Sequence, residues 1–135
     1  MNAKASCSPT KWDEKPYEQI SAASRMTKAT VEFAFKGDMD GTAFVEYLMF
    51  YELYDEKDPH AATATYVGLV RFKGSVSGKK GSFVAEERGT FKGGAASSAL
   101  TILAGSGTEE LGGISGTGTG SAVQQGAAYE FDYKL

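Results

Sequence analysis

The chain has 135 residues, with 14 lysines and arginines against 17 aspartates and glutamates, and a formal net charge of −3. This length predicts a single domain over residues 1–135 that can bury its own core without disulfides. The charge excludes the basic surface that nucleic-acid binding needs, and no apolar run reaches the roughly 18 residues of a membrane span.

Alternation of apolar and polar residues along the chain predicts strands with one buried face. Glycine-containing turns separate the alternating runs, and the longest link, 14–26, has room for a short helical turn. Eight strands with short connections predict an all-β fold, an eight-stranded antiparallel β-barrel, because closing the sheet removes both of its edges. The predicted strands are 4–13, 27–36, 42–53, 62–76, 82–91, 95–104, 114–121 and 127–134.

The third predicted strand, 42–53, is apolar on both of its faces. Phe44, Leu48 and Phe50 share one face with Glu46, whereas Tyr47 lies on the other. One face is expected to fill the barrel, and the other must meet either the 14–26 link or another subunit. We favour the subunit, so a homo-oligomer is the expected partner.

A glycine-rich stretch, ELGGISGTGTGSA at 110–122, raises the question of a phosphate-binding loop. It lacks the Lys-Ser/Thr pair of such loops, and no helix-forming segment follows it. Gly116, Gly118 and Gly120 are two residues apart, so in a strand they share one face that carries no side chains. Either another part of the chain approaches closely at this face, or the space belongs to a cavity.

Five segments together form a specific combination: KWDEKPYEQ (11–19), EYLMFY (46–51), YVGLVRFKGSVSGKKGSFV (66–84), RGTF (88–91) and AGSGTEELGGISGTG (104–118). In these segments the chain resembles an uncharacterised bacterial family, the domain of unknown function family 3224, over about residues 3–133. The family is similar in fold to allene oxide cyclase and dirigent proteins, and this resemblance implies a barrel with a central cavity. It implies no established activity.

Residues for metal or nucleophilic chemistry are scarce. The single histidine, His60, follows Asp58-Pro59 in a predicted surface loop, and the single cysteine is Cys7. These residues supply neither a catalytic triad nor a zinc ligand set, so no metal and no cofactor are expected. The lone cysteine and the absence of an apolar leader predict a cytoplasmic protein.

Two carboxylates lie in period with apolar residues of predicted strands. Glu46 and Glu87 could therefore face the interior as proton-transfer or ligand-binding groups. A register shift of one residue would turn either of them to water, and the sequence leaves this open. Trp12 is expected to cap one barrel end, with a place in a pocket wall as the alternative. The candidate ligand-binding residues are Trp12, Glu46, Tyr47, Tyr66, Glu87 and Tyr129.

These patterns favour a binding barrel for a small, largely apolar ligand. Two alternatives remain open: a cyclase- or isomerase-like enzyme that acts inside the barrel, and a structural, oligomer-forming barrel without a ligand. An apolar pocket larger than about 300 Å³ would favour the first two, and a solid interior would favour the third.

Overall fold

A computed structural model describes residues 1–58, 61–124 and 126–135 as eight antiparallel strands in a closed barrel. Each strand pairs with its sequence neighbours, and the ring closes where Asn2 to Cys7 pair with Asp132 to Ala127. The predicted all-β, eight-stranded antiparallel fold is confirmed. The strands are β1 (Asn2–Gln19), β2 (Arg25–Gly37), β3 (Met39–Leu53), β4 (Thr63–Val76), β5 (Lys79–Lys92), β6 (Ala95–Ile102), β7 (Ser115–Val123) and β8 (Gly126–Lys134).

The predicted link at 14–26 is wrong, because β1 continues to Gln19 and only 20–24 connect it to β2. The second half of β1 exposes nearly all of its side chains, so it carries no alternation for the sequence to show. Beyond Cys7 this half pairs with β2 alone. Pro9 and Pro16 lie in this part, next to the two register shifts of the β1–β2 pair, which is where a strand tolerates proline.

One end of the barrel is filled by aromatic rings. Phe72 packs against Phe35 and Phe83 with centroid distances of 5.5 and 5.4 Å, and Phe83 meets Phe131 at 5.8 Å. The β6–β7 loop folds against the same end, where its 3-10 turn Glu109–Leu111 buries Leu111 completely. The interior at this end is therefore packed solid.

Glycines face the aromatic rings across neighbouring strands. Gly118 of β7 is opposite Phe131 of β8, and Gly68 of β4 is opposite Tyr47 of β3. A Cβ added to Gly118 would lie 2.6 Å from Cδ1 of Phe131, and one added to Gly68 would lie 2.8 Å from Cδ1 of Tyr47. The glycine face of β7 is therefore covered by aromatic rings of the neighbouring strand, which pack directly against the glycine backbone.

The outer face of β3 and β4 remains apolar and exposed. Phe44 and Leu48 of β3 are 45% and 48% exposed, and Leu69 of β4 is 54% exposed. The 20–24 connection leaves these side chains uncovered, so the alternative in which the link covers this face is wrong. His60, which was expected in a surface loop, lies outside the described residues. Within the described ranges, no helix is long and apolar enough to cross a membrane.

We expect Gly118→Ala to lower the free energy of unfolding by about 1–3 kcal/mol, because the added methyl group overlaps the Phe131 ring. Gly126→Ala is the matched control, since a Cβ there meets nothing within 4 Å and the change only reduces the freedom of the unfolded chain. Urea denaturation monitored by tryptophan fluorescence measures both. Equal stability of the two variants would contradict the proposed role of the glycines.

Candidate functional site

The other end of the barrel holds a pocket of about 890 Å³. All eight strands contribute to its wall, which includes Cys7 of β1, Phe33 of β2, Met49 of β3 and Phe91 of β5. At this end β8 begins only at Gly126 while β1 continues to Gln19, so beyond Cys7 β1 pairs with β2 alone and the pocket opens beside it.

The floor of the pocket carries the buried carboxylate of Glu87, which is 1% exposed. The hydroxyl of Tyr47 donates to Oε1 at 2.7 Å. Ser98 Oγ and the hydroxyl of Tyr129 donate to Oε2 at 2.7 and 3.0 Å. These donors come from three strands, β3, β6 and β8, that converge on Glu87 because the barrel is closed.

Hydroxyl groups, and not a cation, stabilise this carboxylate. Among the described residues, no lysine or arginine forms an ion pair with Glu87 within 4.0 Å. Burial of an unpaired charge is costly, whereas each hydrogen bond to a charged group contributes about 1.5–3 kcal/mol. The three donors therefore offset the loss of water around Glu87.

The tyrosines around Glu87 are held in their neutral form. Burial, followed by the negative charge of Glu87, raises the pKa of Tyr66 to about 12. Burial is also the main cause that raises the pKa of Tyr47 and of Tyr129, to which Glu87 adds. The Tyr66 ring meets the Tyr47 ring edge to face at a centroid distance of 5.3 Å. The floor is thus a set of neutral phenols around one carboxylate.

A second carboxylate, Glu14 of β1, lies in the same pocket wall. Trp12 Nε1 donates to its Oε1 at 3.1 Å. The hydroxyls of Thr27 and Tyr51 donate to its Oε2, each at 2.7 Å. These bonds join β1 to β2 and to the non-adjacent β3, and they fix the half of β1 that pairs with β2 alone.

The only guanidinium in the described part of the pocket wall belongs to Arg25. It lies 3.3 Å from the centroid of the Tyr54 ring and 4.0 Å from Oε1 of Glu56. The guanidinium thus stacks on an aromatic face, while its Nε is buried without a hydrogen-bond partner among the described residues.

The structure brings five of the six sequence-predicted site residues to this pocket: Trp12, Tyr47, Tyr66, Glu87 and Tyr129. The expectation that Glu46 lines the interior is wrong. Its side chain is 66% exposed on the outer face, 3.9 Å from Lys28 Nζ. Adjacent strand residues point to opposite faces, so Glu46 and Tyr47 cannot both face inward, and the apolar packing selects Tyr47.

Sequence reasoning missed Glu14, Ser98, Tyr51 and Arg25. Glu14 and Arg25 lie in the segment that was expected to be a link, so no strand period marked them. Ser98 sits at an inward position of β6, where alternation would have placed it, but a lone serine carries no chemical signal.

The described pocket residues include one thiol, that of Cys7, and no cluster of metal-binding side chains. Within residues 1–58, 61–124 and 126–135, no group of three histidine, cysteine, aspartate or glutamate side chains could hold a metal ion. Burial, with a smaller contribution from Glu87, raises the pKa of Cys7 to about 11, so its thiol stays protonated near neutral pH.

Comparison with known families gives one match over nearly the whole chain. The model described as "Protein of unknown function (DUF3224)" matches residues 3–133. The chain belongs to the DUF3224 family. No curated protein matches this DUF3224 chain.

A solved structure supports the same fold. It is a DUF3224 protein of unknown function from Shewanella oneidensis MR-1, with a TM-score of 0.75 at 20% identity, and the match covers 100% of this chain and 96% of that one. At this identity the likeness concerns the fold alone. The similarity to allene oxide cyclase and dirigent proteins stays a prediction.

We expect the stability of this DUF3224 protein to fall in alkaline solution. A tyrosine whose folded-state pKa is raised contributes stability that is complete below its unfolded pKa, about 10, and is lost as the pH rises through the folded value. The free energy of unfolding in urea should therefore be flat near pH 8 and decline above about pH 10.

The variant Tyr47→Phe tests the origin of this decline. It should be less stable than the natural protein at pH 8, because Glu87 loses a donor, and its decline should be shallower. Tyr17→Phe is the control, since Tyr17 is 54% exposed. The same slope in Tyr47→Phe and in the natural protein would contradict the assignment.

Proposed function

We propose that this DUF3224 protein binds a small, largely apolar molecule in the pocket at the open half of the barrel. One observation carries the proposal: half of the interior is filled by phenylalanine rings, while the other half holds a pocket of about 890 Å³. A volume of this size lies within the roughly 300–1,000 Å³ typical of small-molecule sites.

The wall chemistry supports an apolar body for the ligand. Phe33, Met49 and Phe91 offer side chains without polar hydrogen-bonding groups. The hydroxyls of Tyr47 and Tyr129 already donate to Glu87, so these residues present mainly their rings to the pocket. Burial of such surfaces by a ligand contributes roughly 25 cal/mol per Å² of apolar area.

Two further points stay proposals. We place the protein in the cytoplasm, in line with a single buried, unpaired cysteine. The cyclase- or isomerase-like reaction in the same pocket stays a prediction.

A larger side chain in the pocket wall should weaken the binding of an apolar probe. We expect the neutral fluorescent probe N-phenyl-1-naphthylamine to bind the natural protein with a gain in emission, and Ala127→Phe to weaken binding by at least about tenfold, since Ala127 lines the pocket. Ala128→Phe is the matched control, because Ala128 is the adjacent, exposed residue of β8. Probe titrations measure both. Similar binding by the two variants, or no binding by the natural protein, would contradict the proposal.

We also propose that the outer face of β3 and β4 binds a second copy of this chain. The exposed apolar side chains of Phe44, Leu48 and Leu69 form its centre. Three basic and four acidic side chains border it: Lys11, Lys28, Arg88, Asp13, Glu32, Glu46 and Glu86. A two-fold related copy presents the same border with charges of both signs, so opposite charges can meet around an apolar centre.

We expect Leu69→Glu to convert an oligomer into a monomer, because it places an unpaired charge in the apolar centre. Ile20→Glu is the control, since Ile20 is 51% exposed at a site away from this face. Sedimentation equilibrium at several concentrations gives the mass of each. A monomer for the natural protein would overturn this proposal and leave ligand binding untouched.

A further inference from the structure

The hydrogen bonding of Glu87 leaves one acceptor position unused. An ionised carboxylate offers about four lone-pair sites, two on each oxygen. Oε2 accepts from Ser98 and Tyr129, whereas Oε1 accepts from Tyr47 alone. One lone pair of Oε1 therefore remains, on a side chain that lines the pocket and is 1% exposed.

Glu14, the second carboxylate of the pocket wall, also accepts three hydrogen bonds and has one acceptor position left. Its Oε2 accepts from Thr27 and Tyr51, and its Oε1 accepts only from Trp12. Both carboxylates are thus fixed in place by neutral donors of the protein, which satisfy most of their acceptors without neutralising their charge. Such a site is preorganised.

The charge balance of the described pocket wall is negative. Glu14 and Glu87 contribute two carboxylates against the guanidinium of Arg25, whereas the exposed Asp13 is paired with Lys15 at 3.9 Å. That guanidinium stacks on Tyr54, its Nε is buried without a hydrogen-bond partner among the described residues, and no ion pair connects it to Glu87. A cation that enters the pocket would thus meet a carboxylate that has no counter-ion within the described chain.

The aromatic rings near Glu87 also favour a cationic ligand. The rings of Tyr47, Tyr66 and Tyr129 surround the carboxylate and line the pocket with it. Aromatic faces attract cations, most strongly where water is excluded, and combinations of such faces with a carboxylate bind ammonium groups in proteins. An anionic group placed at the floor would be repelled by the carboxylate of Glu87.

We propose that the ligand of this pocket is an apolar molecule that carries a protonated amine, and that the amine donates a hydrogen bond to the free position of Glu87 Oε1. This assignment rests on the proposed function, since it names the ligand class of the same pocket. The apolar body lies toward Phe33, Met49 and Phe91, and the ammonium group lies at the floor.

Three ligands with one skeleton test the assignment: 2-naphthylmethylamine, 2-naphthylmethanol and 2-naphthoate at pH 7. We expect the amine to bind at least about tenfold more tightly than the alcohol, because it adds a charge-assisted hydrogen bond, and the carboxylate to bind most weakly. Isothermal titration calorimetry on the natural protein gives the three dissociation constants.

The variant Glu87→Gln should lose the preference for the amine and keep its affinity for the alcohol within about twofold, because the shape is conserved and the charge is removed. Glu130→Gln is the matched control: Glu130 follows Tyr129 in β8 and lies on the outer face, with its Oε1 3.9 Å from Lys4 Nζ. It should keep the full preference.

The outcomes separate the two proposals. If none of the three compounds binds, the proposed function fails, and this assignment fails with it. If they bind with equal affinity, or if the carboxylate binds best, ligand binding stands and the amine assignment is overturned. If Glu87→Gln does not fold, the order of affinities on the natural protein still decides. If Glu87→Gln retains the preference, the assignment to Glu87 is overturned.

Discussion

The packing of aromatic rings against glycine backbone is the constraint on which the rest of this barrel depends. A ring in an eight-stranded barrel competes with every other inward side chain for a narrow interior. Glycine on the neighbouring strand lets a ring lie flat against the wall, as Phe131 does over Gly118 and Tyr47 over Gly68. One half of the barrel can therefore hold a dense phenylalanine cluster, and the other half keeps its tyrosines at the wall and its centre open.

Tyrosines at the wall in turn make a buried carboxylate possible. Glu87 is placed where hydroxyls from β3, β6 and β8 converge, and these groups replace the water that the carboxylate loses. The tyrosines are themselves kept neutral by burial and by the charge they surround. The carboxylate of Glu87 is thus held in place by hydrogen bonds within an apolar pocket. The packing of the tyrosines therefore positions the group that we propose binds the ligand.

Much of this arrangement follows from local patterns. The alternation in 82–91 placed Glu87 on the same face as Phe83 and Phe91, and that face is the inner one. The pattern of the third strand did not predict its inner face, because both of its faces are apolar. In the structure, Glu46 lies on the outer face with Phe44. No sequence pattern indicated the role of Glu14, because its segment shows no alternation of apolar and polar residues and pairs with β2 alone.

The sequence by itself determined the eight strands, the antiparallel closure and the inner faces of the clearly alternating segments, because period-two burial is a local property of a strand. Only the tertiary structure decided which face of β3 points inward, which donors reach Glu87 and Glu14, and which half of the barrel stays open. Apart from Trp12, the donors lie 11 to 42 residues from the carboxylate that they reach, and strand pairing together with closure of the ring brings them close.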